Sequence, residues 1–211
     1  MKIAVLGATG GVGRQIVRHA LADGHEVSAA VRDPARLTTK HECLTVVRAD
    51  ALDAASLTEV VDGADAVLSG MGQAGRHDPL KPASTSARAA TEAMAATGVR
   101  RIVVVSAAPL NRSGTGQPWL ARQVLMPGMW LALKELYTDL ELMETILRES
   151  GLDWTSVRPP RLTDADGKGG YRHAVEAGPA ANAIARADVA RAMLDFVTDR
   201  ATFGHAVGVS D

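Results

Sequence analysis

Short apolar runs alternate along the chain with longer stretches in which apolar residues recur every three or four positions. Seven of the runs have the length and composition of β-strands, and they lie at 3–6, 26–31, 45–48, 66–69, 102–106, 154–157 and 205–209. Between most of them the spacing is helical, as at Leu136, Leu140, Met143 and Leu147. The pattern therefore predicts repeated β-α units.

Two of the strands, "KIAVLG" and "RIVVVS", are continuously apolar. A strand has this composition when helices cover both faces of a parallel sheet. We therefore predict a doubly wound α/β sandwich with one parallel sheet, in a single domain over residues 1–211. Two segments rich in turn formers, at 110–133 and 163–183, are predicted to be long loops, and the first is a candidate acceptor-site loop.

Composition and charge narrow the possible partners. The chain has 211 residues, 46% of them hydrophobic, and a formal net charge of −1, so no basic field would attract nucleic acid. Cys43 has no second cysteine to pair with, and no signal segment precedes the first strand. The apolar stretch 124–133 is interrupted by Pro127 and is far shorter than the roughly 20 residues that span a membrane. We expect a cytoplasmic protein without nucleic-acid or membrane partners.

The first strand leads into the glycine-rich turn "GATGGVG". Here Gly7 would turn the chain off the strand, Gly10 would admit a pyrophosphate to the backbone, and Gly13 would let the helix approach the sheet. The helix that follows would face the phosphates with its unpaired N–H groups and partial positive charge. A tight β-α turn can also need glycine for steric reasons alone. We favour a dinucleotide site, because a second signal follows about twenty residues later.

That second signal is "VSAAVRDPARL". An NAD-selective site usually has an acidic residue at the end of the second strand, whereas this strand ends in Arg32, with Arg36 a turn further on. Arginine suits a ribose 2′-phosphate through its forked donors, which favours NADP(H) over NAD. Asp33 could instead bind the 2′-hydroxyl, or simply begin the turn before Pro34.

Further cofactor contacts are expected where the next two strands end, because ligands of such sheets bind beyond the carboxyl ends of the strands. Asp50 and Ala51 are placed to meet the adenine, and Gly70, Met71 and Gly72 to pass close to the ribose and diphosphate. Ordinary turn chemistry would explain the same residues.

Together, "GATGGVG", "VRDPARL", "SAAP" and "LMETILRESGLDWTSVRPPRLTD" resemble the atypical short-chain dehydrogenase/reductase family over nearly the whole chain. Within it the chain resembles NmrA-like NAD(P)H-binding proteins, above all the biliverdin reductase B type, which is also a flavin reductase. The resemblance implies a Rossmann domain that binds NADPH and transfers hydride to flavins or related planar acceptors. It places Thr9, Gly10, Gly11 and Val12 around the diphosphate, Arg32 and Arg36 at the 2′-phosphate, Asp50 and Ala51 at the adenine, Ser106 near the nicotinamide, and Pro159, Pro160 and Arg161 beside its carboxamide.

The chain departs from this family at the catalytic helix. Typical members use a tyrosine with a lysine four residues later, but Tyr137 is followed at that distance by Glu141, which would raise the pKa of a phenol. Leu136 and Leu140 stand where the catalytic-helix residues would fall, and Arg161 and Leu140 replace two histidines of the biliverdin reductase type. An ordinary carbonyl reductase and tetrapyrrole chemistry are therefore disfavoured.

Hydride transfer to a flavin or quinone does not need a strong protein acid, because the acceptor carries the electronic demand and the protein sets the geometry. Ser106 and Arg161 are the candidate catalytic residues: Ser106 would hydrogen-bond the nicotinamide or acceptor, and Arg161 would stabilise an anionic reduced acceptor or the cofactor. Alternatively, Ser106 caps a strand and Arg161 is a surface cation. Trp119 and Trp130 would form part of an acceptor wall, or pack in the core or against a partner subunit.

Two functions remain open. The first is an NADPH-dependent reductase of a flavin, quinone or related planar acceptor; the alternative is a non-catalytic NAD(P)(H)-binding redox sensor of the NmrA-like type. The six histidines show no paired metal-ligand spacing, so no metal is expected, and the chain has no G-x-S-x-G elbow of a serine hydrolase. We expect a small-molecule partner and a monomer or small homo-oligomer.

Overall fold

The computed structural model describes residues 1–72, 78–110, 128, 130, 132–179 and 181–211. This part of the chain contains ten β-strands: β1 (Lys2–Leu6), β2 (Glu26–Val31), β3 (Leu44–Arg48), β4 (Ala66–Ser69), β5 (Arg101–Val105), β6 (Asp153–Arg158), β7 (Arg161–Thr163), β8 (Arg172–Val175), β9 (Ala183–Ala185) and β10 (His205–Ser210). It also contains five α-helices: α1 (Gly11–Ala22), α2 (Ala54–Val61), α3 (Pro82–Thr97), α4 (Lys134–Glu149) and α5 (Arg186–Asp195). Within these ranges no helix has both the length and the apolar character needed to cross a membrane.

The main sheet has the strand order β3-β2-β1-β4-β5-β6-β10-β8. Neighbouring strands are parallel throughout, except that β8 runs antiparallel to β10 at the edge. The strand order reverses at β1, which pairs with β2 on one side and β4 on the other. In doubly wound sheets a ligand crevice forms at this reversal, at the carboxyl ends of the strands.

Alternate residues of the central strands face two separate cores. In β1, Ile3 and Val5 belong to the core that contains α1 and α5, whereas Ala4 and Leu6 belong to the core that contains α2, α3 and α4. This alternation follows from the period of two along a strand. Because both faces are covered, β1 and β5 are apolar along their length, and the predicted doubly wound Rossmann-like sheet is confirmed.

All seven strands predicted from apolar runs are present, each within a residue or two of its predicted bounds. The prediction of one long loop over 163–183 was wrong, because β8 lies inside it and pairs with β10. Its sequence, "RHAV", is short and mostly exposed, so it carries no apolar signature. The small parallel sheet of β7 and β9 was not predicted either, since its strands have only three residues each.

Most of the predicted acceptor-site loop at 110–133 falls outside the described residues, including Trp119. Leu110 ends a one-turn 3₁₀ helix and is buried. Trp130 is partly buried against the core, with its ring centroid 5.9 Å from that of Tyr137. The role of this segment as an acceptor wall therefore stays a prediction.

Helix α4 is held in place partly by capping α3. Asp139 of α4 is buried, and its two carboxylate oxygens accept hydrogen bonds from the backbone N–H groups of Ala83 and Ser84, each at 3.0 Å. These N–H groups lie in the first turn of α3, where a helix leaves its donors unpaired and favours negative charge. The cap fixes α4 relative to α3, and α4 carries three residues of the site described below.

Arg101 at the start of β5 ties the sheet to the end of α5. It is 6% exposed, and its guanidinium donates to the carbonyl oxygens of Phe196, Val197 and Asp153 at 2.5, 3.0 and 2.6 Å. Its Cζ also lies 4.1 Å from the ring centroid of Phe203. Burial lowers the pKa of Arg101 to about 10, so the side chain is still charged at neutral pH.

Replacing Arg101 by methionine should lower the free energy of unfolding by about 4 kcal/mol, because several buried carbonyl oxygens lose their donor at once. The neighbouring Arg100 is 65% exposed, and the Arg100→Met control should change stability by less than about 0.5 kcal/mol. Urea unfolding followed by circular dichroism measures both. Similar stability losses in the two variants would contradict the role given to Arg101.

Candidate functional site

The glycine-rich turn brings three backbone segments together without intervening side chains. Gly7 has a φ of +71°, and a Cβ placed on Gly13 would lie 2.1 Å from the Gly7 carbonyl oxygen. A Cβ on Gly70, just after β4, would lie 2.9 Å from the backbone nitrogen of Gly13. The turn predicted at Gly7 and the close helix approach predicted at Gly13 are both confirmed. They set the amino end of α1 against the carboxyl ends of β1 and β4.

The amino end of α1 offers unsatisfied donors. Gly10 is its N-cap and supplies no side-chain cap, and the first turn of the helix contains no acidic residue. Its first N–H groups have no partner within the helix, and the helix dipole adds partial positive charge. Such an end suits a phosphate or diphosphate.

A cavity of about 170 Å³ lies on the β2 side of this helix end. Among its lining residues are seven that the sequence predicted as cofactor contacts: Gly7, Thr9, Arg32, Asp50, Ala51, Met71 and Gly72. Arg36 does not line the cavity; it ends an exposed 3₁₀ turn over Pro34–Arg36. The predicted role of Arg36 at a 2′-phosphate stays a prediction.

Two acidic residues near this cavity are engaged in turns. The Asp33 carboxylate accepts a hydrogen bond from the backbone N–H of Ala35 at 3.1 Å and caps the 3₁₀ turn. The Asp50 carboxylate likewise accepts from the N–H of Leu52 at 3.1 Å. Asp33 is not among the lining residues, so Arg32 is the charged group that the end of β2 presents to the cavity.

A second cavity, of about 440 Å³, lies on the β5 side. Its lining includes nine residues predicted to contact the cofactor: Gly10, Gly11, Val12, Gly70, Met71, Gly72, Ser106, Pro159 and Pro160. Leu136 and Leu140 of α4 line its apolar part, at the two positions where the family's catalytic helix was expected to contribute. Met71 and Gly72 line both cavities, so the two adjoin at these residues and together make up the crevice.

Arg161 is not brought into this crevice. It is the first residue of β7, it is exposed, and it lines neither cavity. The charged lining residue on the β5 side, within the described part of the chain, is instead Arg186. The sequence did not indicate Arg186, because the short strands that place it have no pattern of their own. The catalytic role predicted for Arg161 stays a prediction.

Ser106 belongs to a buried polar cluster centred on Glu144. The hydroxyls of Ser106 and Ser156 donate to Glu144 Oε1 at 2.9 and 2.6 Å, and the Arg158 Nε donates to the same oxygen at 3.0 Å. Arg158 also pairs with the other carboxylate oxygen of Glu144. A carboxylate only accepts, so the single proton of the Ser106 hydroxyl is used here and its oxygen can offer only lone pairs to a ligand.

Sequence reasoning missed Glu144, although a signal was present. On α4, Glu144 follows Leu140 by four residues and precedes Leu147 by three, so it occupies the apolar face of the helix. A charged residue at a core-facing position needs a buried partner. Glu144 is 3% exposed, and Arg158 is the partner of its carboxylate.

Tyr137 lies away from the crevice. It is 3% exposed and packs in the core with α2 and α3, and burial raises its pKa. Raising the pKa disfavours the phenolate that a proton-transfer tyrosine must form. This position suits a packing residue rather than a proton donor.

The described residues contain no group of three or more histidine, cysteine, aspartate or glutamate side chains arranged to hold a metal ion. These residues do bring together the backbone donors at the amino end of α1, Arg32 on the β2 side of them and the apolar cavity on the β5 side.

A sheet of this order with a glycine-lined crevice at its reversal defines a dinucleotide-binding α/β protein. The chain belongs to an NAD(P)H-binding family, whose sequence model matches residues 7–200. This membership agrees with the family resemblance seen in the sequence.

Curated proteins similar in sequence to this chain include a protein named as a reductase. A Streptomyces griseus protein named (4-alkanoyl-5-oxo-2,5-dihydrofuran-3-yl)methyl phosphate reductase is 32% identical over 157 residues, which cover 74% of this chain and 46% of that protein. The chain spans about half the length of the curated relatives it matches.

Two solved structures superpose over the whole chain. A Streptococcus pneumoniae protein provisionally named an NADH-flavin reductase has a TM-score of 0.75 and 26% identity, covering 100% of this chain and 99% of that one. A Veillonella parvula short-chain dehydrogenase/reductase in complex with NADP has a TM-score of 0.77 and 20% identity, covering 100% and 94%. The second likeness shows the shared fold alone.

Replacing Glu144 by glutamine should lower the free energy of unfolding by about 3 kcal/mol, because Arg158 would keep a buried charge without its counter-ion. Glu149 is exposed at the end of the same helix, and the Glu149→Gln control should change stability by less than about 0.5 kcal/mol. Thermal and urea unfolding of both variants measure the difference. A Glu144→Gln protein as stable as the control would show that the cluster does not need the carboxylate.

Proposed function

We propose that this protein is an NADPH-dependent oxidoreductase that transfers hydride to a flavin, a quinone or a related planar acceptor. One observation carries the proposal: a cavity lined by Arg32 adjoins, at Met71 and Gly72, an apolar cavity that lies at the bare amino end of α1 and beside Ser106. The sequence of arginine, helix end and apolar cavity matches the parts of a dinucleotide: a phosphorylated adenosine, a diphosphate and a reacting ring.

Arg32 supports NADPH over NADH. It is the charged group that the end of β2 presents to the crevice, whereas the Asp33 carboxylate is engaged by the Ala35 N–H. A guanidinium attracts a 2′-phosphate, whereas selection of a 2′-hydroxyl would need the Asp33 carboxylate in the crevice, and Asp33 does not line it. The flavin reductase relative is named for NADH, so the two cofactors must be compared directly.

The apolar cavity supports a planar acceptor. Leu136 and Leu140 line it together with Pro159 and Pro160, and a volume of about 440 Å³ suits a stacked pair of rings. When bound, NADPH would supply the hydride from its nicotinamide ring, and the reduced acceptor would take its proton from water. The chain's own contribution is to stack the two rings and to exclude solvent.

Ser106 would act as a hydrogen-bond acceptor in this site. Its proton is held by Glu144, so its oxygen is suited to receive an N–H of the nicotinamide carboxamide. Arg158 and Ser156 hold the Glu144 carboxylate in turn, which keeps Ser106 in one orientation. With Tyr137 buried in the core, the site would act by positioning rather than by protonating a carbonyl.

NADPH should bind at least about tenfold more tightly than NADH, and Arg32→Ala should remove that preference while leaving NADH binding within about twofold. Isothermal titration calorimetry on both proteins measures the constants. Lys40 is an exposed cation further along the same loop, so Lys40→Ala serves as the charge-matched control. Tighter binding of NADH than of NADPH by the unmodified protein would refute the choice of cofactor.

Purified protein should oxidise NADPH in the presence of FMN, riboflavin or a small quinone, followed by absorbance at 340 nm. Leu136→Trp should lower kcat/KM for the acceptor about tenfold by filling the cavity, because a shift of about 1 Å in a reacting ring is costly. Leu142 is 39% exposed on another face of α4, and Leu142→Trp should leave kcat/KM unchanged.

The alternative function, a redox sensor, has a distinct outcome in the same experiment. NADPH binding without oxidation by any of the acceptors would reject the reductase and support a protein that changes state on binding its cofactor. Absence of binding to either nucleotide would reject both functions.

A further inference from the structure

Arg186 is the charged residue that lines the apolar cavity in the described part of the chain. It is the first residue of α5, where a positive charge is unfavourable for the helix dipole. Its side chain is 28% exposed. A cation kept at an unfavourable helix end and beside a crevice suggests a ligand of opposite charge.

The small sheet of β7 and β9 explains how Arg186 reaches the crevice. The two strands are parallel, and their register pairs Thr163 with Ala185. Asp164 and Arg186 directly follow the two strands, so they lie side by side. They form an ion pair in which the Arg186 Nη1 lies 2.7 Å from the Asp164 Oδ1.

The Arg186 side chain lies over the first residue of α1. A Cβ placed on Gly11 would be 2.7 Å from both Cδ and Nε of Arg186, so the missing side chain at Gly11 leaves the space that the arginine occupies. Two sources of positive potential thus converge, the guanidinium and the amino end of α1, whose first turn contains no acidic residue. Asp164 balances the guanidinium in the structure, and an anionic ligand at the amino end of α1 would meet both sources of positive potential.

We propose that Arg186 binds the diphosphate of the dinucleotide and exchanges its contact with Asp164 for that anion. The proposal rests on the proposed function, because it assumes that a dinucleotide occupies the crevice. The Asp164 side chain is 87% exposed, so the existing ion pair is weak and easily broken. A diphosphate offers several charged oxygens to the guanidinium fork, as well as to the α1 N–H groups that Asp164 does not reach.

The role of Arg186 differs from that of Arg32. Arg32 lines the cavity on the β2 side and would meet the 2′-phosphate, whereas Arg186 lines the cavity on the β5 side next to Gly10 and Gly11. The two arginines would therefore contact different phosphate groups of one ligand. Removing either arginine should therefore weaken the binding of a different set of cofactor fragments.

The first experiment titrates three ligands by calorimetry: NADP⁺, 2′-phospho-ADP-ribose, which lacks only the nicotinamide, and 2′-AMP, which lacks the diphosphate. Arg186→Ala should weaken the first two about tenfold and leave 2′-AMP within about twofold. Arg32→Ala should weaken all three. Arg100 is also ion-paired, to Asp153, but it precedes the amino end of β5, away from the carboxyl ends of the strands, so Arg100→Ala should change none of the affinities.

Each other pattern has a defined meaning. Equal affinities of Arg186→Ala and unmodified protein for all three ligands would overturn the proposal, and so would a loss confined to NADP⁺, which would place Arg186 at the nicotinamide. If the unmodified protein binds none of the three, the proposed function itself fails. Thermal unfolding of Arg186→Ala, expected to match the unmodified protein within a few degrees, checks that the fold is intact.

A second experiment tests the exchange with Asp164. Asp164→Asn removes the competing carboxylate and should tighten NADP⁺ binding at least about twofold. Unchanged or weaker binding would show that Asp164 does not compete with the ligand for Arg186, which contradicts the exchange.

The phosphate of an acceptor such as FMN is the other anion that Arg186 could meet. Arg186→Ala should lower kcat/KM for FMN and for riboflavin by the same factor if the diphosphate is its partner. A loss specific to FMN would overturn the assignment to the cofactor.

Discussion

The close approach of Gly7, Gly13 and Gly70 is the constraint on which the site depends. A Cβ on Gly13 or Gly70 would collide with main-chain atoms of the facing segment, and Gly7 has a φ of +71°, which side chains rarely adopt. The contact brings the amino end of α1 directly over the point where the strand order reverses. This packing, rather than any charged side chain, leaves N–H groups of the helix end free and places the crevice beside them.

The polar groups around the crevice are arranged to present donors and lone pairs, not a proton. Glu144 holds the hydroxyl proton of Ser106 and the guanidinium of Arg158 below the cavity lining, while the leucines of α4 make the lining itself apolar. A buried carboxylate of this kind is stable only because all its neighbours donate to it. The same arrangement gives the site a fixed geometry, which is what hydride transfer between stacked rings requires.

The sequence predicted the elements whose residues repeat with a clear period. β1, β5 and the other central strands were found from their apolar runs, and the turn at Gly7 was found because it joins a strand to a helix at a recognisable spacing. The edge strand β8 and the pair β7 and β9 were not, because three or four residues are too few to show a period. Arg186 was missed for the same reason, since the register of that short pair places it. Glu144 could have been found from its position on the apolar face of α4.

The proposed chemistry requires a pyridine dinucleotide in the crevice at the carboxyl ends of β1 and β4. Backbone amide chemical shifts recorded by NMR during an NADP⁺ titration test it most directly, because they locate the ligand without assuming any activity. The account predicts saturable shifts at Gly10, Gly11 and Val12 and around Arg32, with none at Lys2 and Glu26 on the amino edge of the sheet. Saturable shifts confined to that amino edge, or none anywhere, would contradict it.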